Sequence, residues 1–374
     1  MVARIKLLHW ITSSLIYSAT FAASHIHRTM KHGRRVLGRG SVSSSSILLT
    51  NATETEGLTG LIDVGTPGQI FEFQFDTMFG GTVLGSVSGG SVLGYKSNLS
   101  SSSVPIPGLG EYFLAESSDT PSLEVLYLKT VNDTFTIGGK PYPEITFGLL
   151  TDTVLWRGGA RGVIGLDRHS HFIYEIRDQL TEWVCSLDIN RLWNNGTWTL
   201  GEVTTSENIA WVETLSDDTW WYLNVTAVSA GNRKSPAMTW TAMVASTDES
   251  LVWPQSLLDW YFEAIPSSTW SAVDQTYRYP CNATLPDFVF RIGNGTFRIP
   301  GTYLPYQKDE TNTMCISIVT GDNSTESSLY GYSFGSWWAE LGVLILDYEN
   351  HRVGFANKST PLPAFGTNSL VTFQ

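Results

Sequence analysis

The chain has 374 residues, of which 42% are hydrophobic, 12% aromatic and 16% charged, with a formal net charge of -12. That length accommodates two domains or two large lobes, and the apolar content excludes wholesale disorder. Residues 1–39 hold seven Lys/Arg and no Asp or Glu, which leaves 16 basic against 35 acidic residues, or -19, for the rest. So acidic a body argues against nucleic acid as a partner and suits solubility in an acidic medium.

Along the chain, Arg4 and Lys6 precede a mostly apolar stretch from Leu7 to Ala23 that ends in small residues, so residues 1–23 read as a secretory signal peptide. Residues 24–46 read as a pro-segment and linker, with a basic run that includes the dibasic Arg34-Arg35 and a serine-rich stretch from Ser41 to Ser46. An N-terminal lobe over residues 47–203 and a C-terminal lobe over 204–374 are then expected. No later segment is long and apolar enough to span a membrane, and the final PLPAFGTNSLVTFQ lacks a lipid-anchor tail. Nine Asn-X-Ser/Thr sequons lie in the body, at Asn51, Asn98, Asn132, Asn195, Asn224, Asn282, Asn294, Asn323 and Asn357. Together these features predict a glycoprotein of the secretory lumen or the extracellular space, with no stable membrane anchor.

The run LIDVGTPGQIFEFQF reads as two strands joined by a turn at Gly65-Thr66-Pro67-Gly68. In the second strand Phe71, Phe73 and Phe75 alternate with Glu72, Gln74 and Asp76, which makes one apolar face. Asp76 therefore arrives at the end of a buried strand and enters a glycine-containing loop, a place suited to a fixed, partly desolvated carboxylate. Further strands are EVLYLKTV, DTFTIGG, WYLNVTAV, DFVFRIG and VLILDYE. Helix is scarce, with candidates from Phe172 to Val184 and, after Pro254, from Gln255 to Ile265. The fold class is all-β with a few short helices. The segment TAMVASTDESLVWP follows a strand much as FQFDTMFGG does, a weak internal echo.

Other constellations are weaker. Gly331-Tyr332-Ser333-Phe334-Gly335 matches the nucleophile-elbow pattern but sits among strands. His169-Ser170-His171 has no neighbouring Cys or carboxylate cluster and reads as a surface turn, so no metal and no cofactor are expected. Of the three cysteines, Cys185 reads as a buried thiol.

Across roughly residues 57–360 the chain resembles the pepsin-like aspartic peptidases, family A1. The resemblance rests on IDVGTPGQIFEFQFDT, DTFTIGGKPYPEITFGLLTDT, RGVIGLDR, SLDINRLWNNGTWTLGEVTT, PDFVFRIGNGTFRIP between Cys281 and Cys315, and LGVLILDYENHRVGFA, all in the family's order. It implies two β-rich lobes flanking a cleft, a Cys281–Cys315 disulfide, and one Asp from each lobe in an Asp-Thr/Ser-Gly loop. Two such carboxylates share one proton, one acting as base on a water while the other donates to the peptide carbonyl.

This chain departs from that pattern. Asp76 and Thr77 match the first loop, but Met78 replaces its glycine, where a side chain is expected to crowd close-packed backbone. In the second loop Ala245 stands where the Asp is expected, followed by Ser246 and Thr247, with Asp248 displaced by three residues. The flap stretch SSDTPSLEVLYLK has Pro121 and Ser122 near the expected Tyr, lacks glycine, and has Tyr127 out of register. The leading expectation is a monomeric secreted homologue with impaired or absent proteolysis and a retained cleft, touched by Thr77 and Ser246, for a peptide or protein ligand. One alternative is an active endopeptidase that uses Asp76 with Asp248. Another is a structural or inhibitory binding protein.

Overall fold

The computed structural model describes residues 44–51, 58–86, 94–116, 122–150, 161–190, 195–203, 209–215, 219–247, 251–309, 313–322, 332–336, 341–356 and 358. The expected signal peptide and most of the pro-segment, together with Asp248, Asn323 and Asn357, lie outside these residues. The all-β expectation holds: the described residues form 24 strands in two sheets, with short α-helices at His171–Ile176 and Gln255–Phe262.

The first sheet has 13 strands and contains the predicted hairpin, Leu58–Val64 antiparallel to Gln69–Asp76 with Gly60 opposite Phe73. Period two works as read: Phe71, Phe73 and Phe75 are buried, while Glu72 and Gln74 between them are only partly covered. Phe75 packs on Trp198 at 4.0 Å between ring centroids and Phe73 on Phe135 at 5.6 Å, so the strand that carries Asp76 is anchored by aromatic contacts. The second sheet has 11 strands and is braced by the Cys281–Cys315 disulfide, with Cα atoms 4.9 Å apart. The two halves are stitched together. Ile209–Glu213, Val343–Asp347 and Arg352–Ala356 join the first sheet, where Leu344 pairs with Leu187.

Two elements differ from the sequence reading. EVLYLKTV and DTFTIGG are one strand, Ser122–Ile137, interrupted only by a bulge between Asp133 and Phe135. Asn132-Asp133 looks like a turn signal, but the Asp133 carboxylate is satisfied inside the sheet by the Tyr95 hydroxyl at 2.5 Å and the Ser102 hydroxyl at 2.6 Å. The expected helix from Phe172 stops at Ile176, passes through a 3-10 turn, and gives way to the strand Val184–Asn190. That strand is held on both sides, by Asn195–Leu200 and by Val343–Asp347, and pairing outweighs local helix propensity. The helix after Pro254 starts as expected and ends at Phe262. Cys185 is fully buried, and burial pushes its thiol up to about 12, which leaves it unreactive.

Candidate functional site

The strand Gln69–Asp76 runs parallel to Gly162–Gly165, with Asp76 opposite Gly165. The second sheet repeats this unit: Thr239–Ala245 runs parallel to Tyr332–Gly335, with Ala245 opposite Gly335. Gly335 thus closes a parallel pair, and Ser333 lies buried in mid-strand opposite Met243 instead of at an elbow.

The loops leaving these two strands grip each other. The Thr77 hydroxyl donates to the Val244 carbonyl at 2.7 Å and accepts from Ser246 N–H at 2.9 Å. The Ser246 hydroxyl donates to the Phe75 carbonyl at 2.6 Å and accepts from Thr77 N–H at 3.0 Å. Each hydroxyl reaches the carbonyl of the residue that precedes 76 or 245 on the opposite loop. The arrangement is a local two-fold, and it places Ala245 as the counterpart of Asp76.

Asp76 is 2% exposed, and its Oδ1 accepts from Met78 N–H at 2.8 Å. Burial pushes its carboxyl up to about 6, opposed by the Met78 N–H and the Thr247 side chain, which reaches it from the other loop. Asp76 therefore changes charge in weak acid instead of near 4.

Met78 does not crowd the loop as expected. Its backbone is not left-handed, and its side chain packs with Met243 and Ala245, with Trp220 and Tyr222 alongside. The Trp220 indole N–H donates to the Met78 carbonyl at 2.9 Å. A methyl group at position 245 leaves room that a carboxylate would fill, so the two departures from the family pattern accommodate each other.

Sequence reasoning missed Asp167, in RGVIGLDR. It is 1% exposed, its N–H donates to the Phe79 carbonyl at 3.1 Å, and its Oδ1 accepts from His169 N–H at 2.8 Å. Burial, and then the charge on Asp76, push its carboxyl up to about 8, against the His169 N–H. The available signal was its position two residues past a strand that pairs with the Asp76 strand.

Asp248 lies outside the described residues, so the geometry around Asp76 is built without it. Val104–Glu116 and Ser122–Ile137 form a long hairpin, in register out to Glu116 opposite Ser122, and its tip with Pro121 lies outside the described residues. The Tyr127 side chain is exposed. His169 and His171 are exposed where Ser170 caps the helix His171–Ile176 by accepting from Ile173 N–H. Among the sequons, Asn98, Asn224, Asn282 and Asn294 are exposed; Asn132 and Asn195 are half-buried, and the Asn51 side chain is not described.

A family model described as eukaryotic aspartyl protease matches residues 130–358, which begins beyond Asp76 and takes in the Ala245 loop. Among curated proteins the chain is similar to a probable aspartic-type endopeptidase of Arthroderma otae, 25% identical over 145 residues that cover 37% of this chain and 36% of the relative. It is similar to Penicillopepsin-3 of Penicillium janthinellum, 29% identical over 131 residues, or 35% of this chain and 32% of the relative. Aspergillopepsin-1 of Aspergillus oryzae is 26% identical over 106 residues, 28% of this chain and 26% of the relative. These matches span about a third or less of the length of each relative.

Proposed function

The chain belongs to the eukaryotic aspartyl protease family, and on that footing we propose that it is a secreted, pepsin-like protein whose cleft holds a peptide or protein segment without efficient cleavage. The observation that carries this reading is the local two-fold of the Thr77–Ser246 grip, under which Ala245 is the counterpart of Asp76. Hydrolysis in this family needs two facing carboxyls, one deprotonating a water while the other protonates the carbonyl oxygen. Here the counterpart of Asp76 is Ala245, whose methyl clusters with Met78 and Met243, so the second proton transfer has no donor at that position.

Binding makes a smaller demand. An extended peptide is held mainly by main-chain hydrogen bonds and side-chain pockets, neither of which requires the missing carboxylate. Secretion is supported by the Cys281–Cys315 bond, which favours an oxidising compartment, and by exposed sequons at Asn98, Asn224, Asn282 and Asn294.

The test is proteolysis of an unfolded protein substrate between about pH 3 and 6, the range in which acid peptidase carboxyls share a proton. Asp76→Ala, Asp248→Ala and pepstatin serve as controls. The expected result is no turnover, together with retention of pepstatin or substrate peptide on immobilised protein. Turnover lost in both variants replaces this reading with an endopeptidase whose pair is Asp76 and Asp248.

A further inference from the structure

Asp76 and Asp167 belong to one half of the molecule and one interlocked loop pair. Leu166 N–H donates to the Asp76 carbonyl at 2.6 Å, Asp167 N–H to the Phe79 carbonyl at 3.1 Å, and His171 N–H to the Gly80 carbonyl at 2.9 Å. The Asp167 carboxyl lies against Gly80: a Cβ there would stand 2.5 Å from its Oδ2, so glycine is what lets the two loops close. Neither carboxyl meets an Arg or Lys in any described ion pair, and both are almost wholly removed from water.

We propose that Asp167 acts with Asp76 as a second buried carboxyl on the same side of the junction, away from the position of Ala245. Asp76 and Asp167 are two buried acids of one interlocked loop pair, and because Asp76 leads directly into Thr77, ionisation of these acids makes the grip on the other half pH-sensitive. Asp167 is too deeply buried to touch a ligand directly. Asp167 is a positioning residue that acts through Asp76 and, next along the chain, through Thr77.

The order of proton loss follows from the surroundings. Asp76, with the Met78 N–H and the Thr247 side chain to stabilise its charge, ionises first, at about 6. That charge then opposes ionisation of Asp167, which keeps its proton to about 8. Among the described residues, each carboxyl accepts from a main-chain N–H, that of Met78 for Asp76 and that of His169 for Asp167. His171 is exposed and meets this loop pair through its backbone N–H on the Gly80 carbonyl. The Arg168 guanidinium donates to the Leu215 carbonyl, and its backbone N–H reaches Thr219 across the junction. His169 contributes its backbone N–H and keeps an exposed ring. Tyr348 donates to the Leu166 carbonyl at 2.9 Å; burial and neighbouring charges, Asp167 among them, hold it protonated. Above about 8, two negative charges sit beneath one closed loop.

The sign follows from linkage. Both carboxyls are raised above their ordinary 3.8, so the folded state binds protons more tightly than the unfolded chain. The stability they contribute is fully present in acid. It is lost as pH rises, through about 6 for Asp76 and about 8 for Asp167.

The experiment is a carboxyl carbon NMR titration of aspartate-labelled protein from about pH 4 to 9, in the parent, Asp76→Asn and Asp167→Asn. Two late-titrating aspartates are expected in the parent, with midpoints near 6 and 8. Asp76→Asn should move the Asp167 midpoint to lower pH. An unmoved midpoint, or two aspartates that both titrate near 4, overturns the pair. If a variant fails to fold, the parent still decides, because coupled carboxyls each report two steps and independent ones report one. Thermal melting adds the readout for the grip. Asp167→Asn should melt higher than the parent at alkaline pH and at the same temperature in acid, whereas an equal shift at both marks a packing role and overturns the pH-sensitive grip. All these readouts use unliganded protein, so they stand or fall independently of the binding reading.

Discussion

The loop after Asp76 and the loop after Ala245 share a backbone and differ in chemistry. Each leaves a strand paired in parallel with a partner ending in glycine, Gly165 in one case and Gly335 in the other. Each sends a hydroxyl to the carbonyl that precedes the key position on the other loop. Yet one key position is a buried carboxyl and the other a methyl in an apolar cluster. The difference teaches that the junction is held by Thr77, Ser246 and four main-chain groups, so the fold can keep the loops together after one carboxylate is gone. The immediate surroundings then repack: Met78 occupies the side vacated at Ala245, while Asp167 accumulates charge pressure on the side that kept its acid.

The largest expected effect comes from making the two loops alike. Ala245→Asp places a carboxylate in a fully buried apolar cluster and should cost about 3–5 kcal/mol at neutral pH, less in acid where it is protonated. Combined with Met78→Gly, which opens space, it should raise acid proteolysis by roughly 10²-fold or more, the scale of one positioned acid–base group. A double variant that folds and shows no gain in turnover would mean that Ala245 and Met78 are not what limits proteolysis.

Next is the disulfide, which braces the second sheet alone. Cys281→Ser with Cys315→Ser opens a 34-residue separation and should lower unfolding free energy by about 3–4 kcal/mol in denaturant titration. Thr77→Val keeps the shape of the side chain but strands Val244 C=O and Ser246 N–H, for an expected loss of about 2–3 kcal/mol. Ser246→Ala should cost less, about 1–2 kcal/mol, because Ser246 is only half-buried and water can replace part of its bonding. Equal losses from the Thr77 and Ser246 variants would show the grip to be symmetric in energy as well as in geometry.

Much of this was legible in the residues. The Phe71-Phe73-Phe75 alternation announces a half-buried strand because it is local and repeats at the strand period, and the order of short motifs announces the family because it is read directly along the chain. The Cys281–Cys315 pair was expected from the resemblance and is present. The long strand Ser122–Ile137 was misread because Asn132-Asp133 looks like a turn when Tyr95 and Ser102, which satisfy Asp133, are 38 and 31 residues away. Met78 was misread for a similar reason: whether it crowds the loop depends on Met243 and Ala245, which reach it only through the fold.

By itself, then, the sequence determined the all-β class, the family, the position of Asp76 at a strand end and the alanine standing where the resemblance expects a second acid, since these depend on residue type and spacing along one chain. The tertiary structure alone decided that Thr77 and Ser246 clasp across 169 positions, that Met78 and Ala245 fit one another, and that Asp167 lies beside Asp76. Burial and charge coupling are properties of the space around a group, and that space is assembled from segments that the linear order keeps apart.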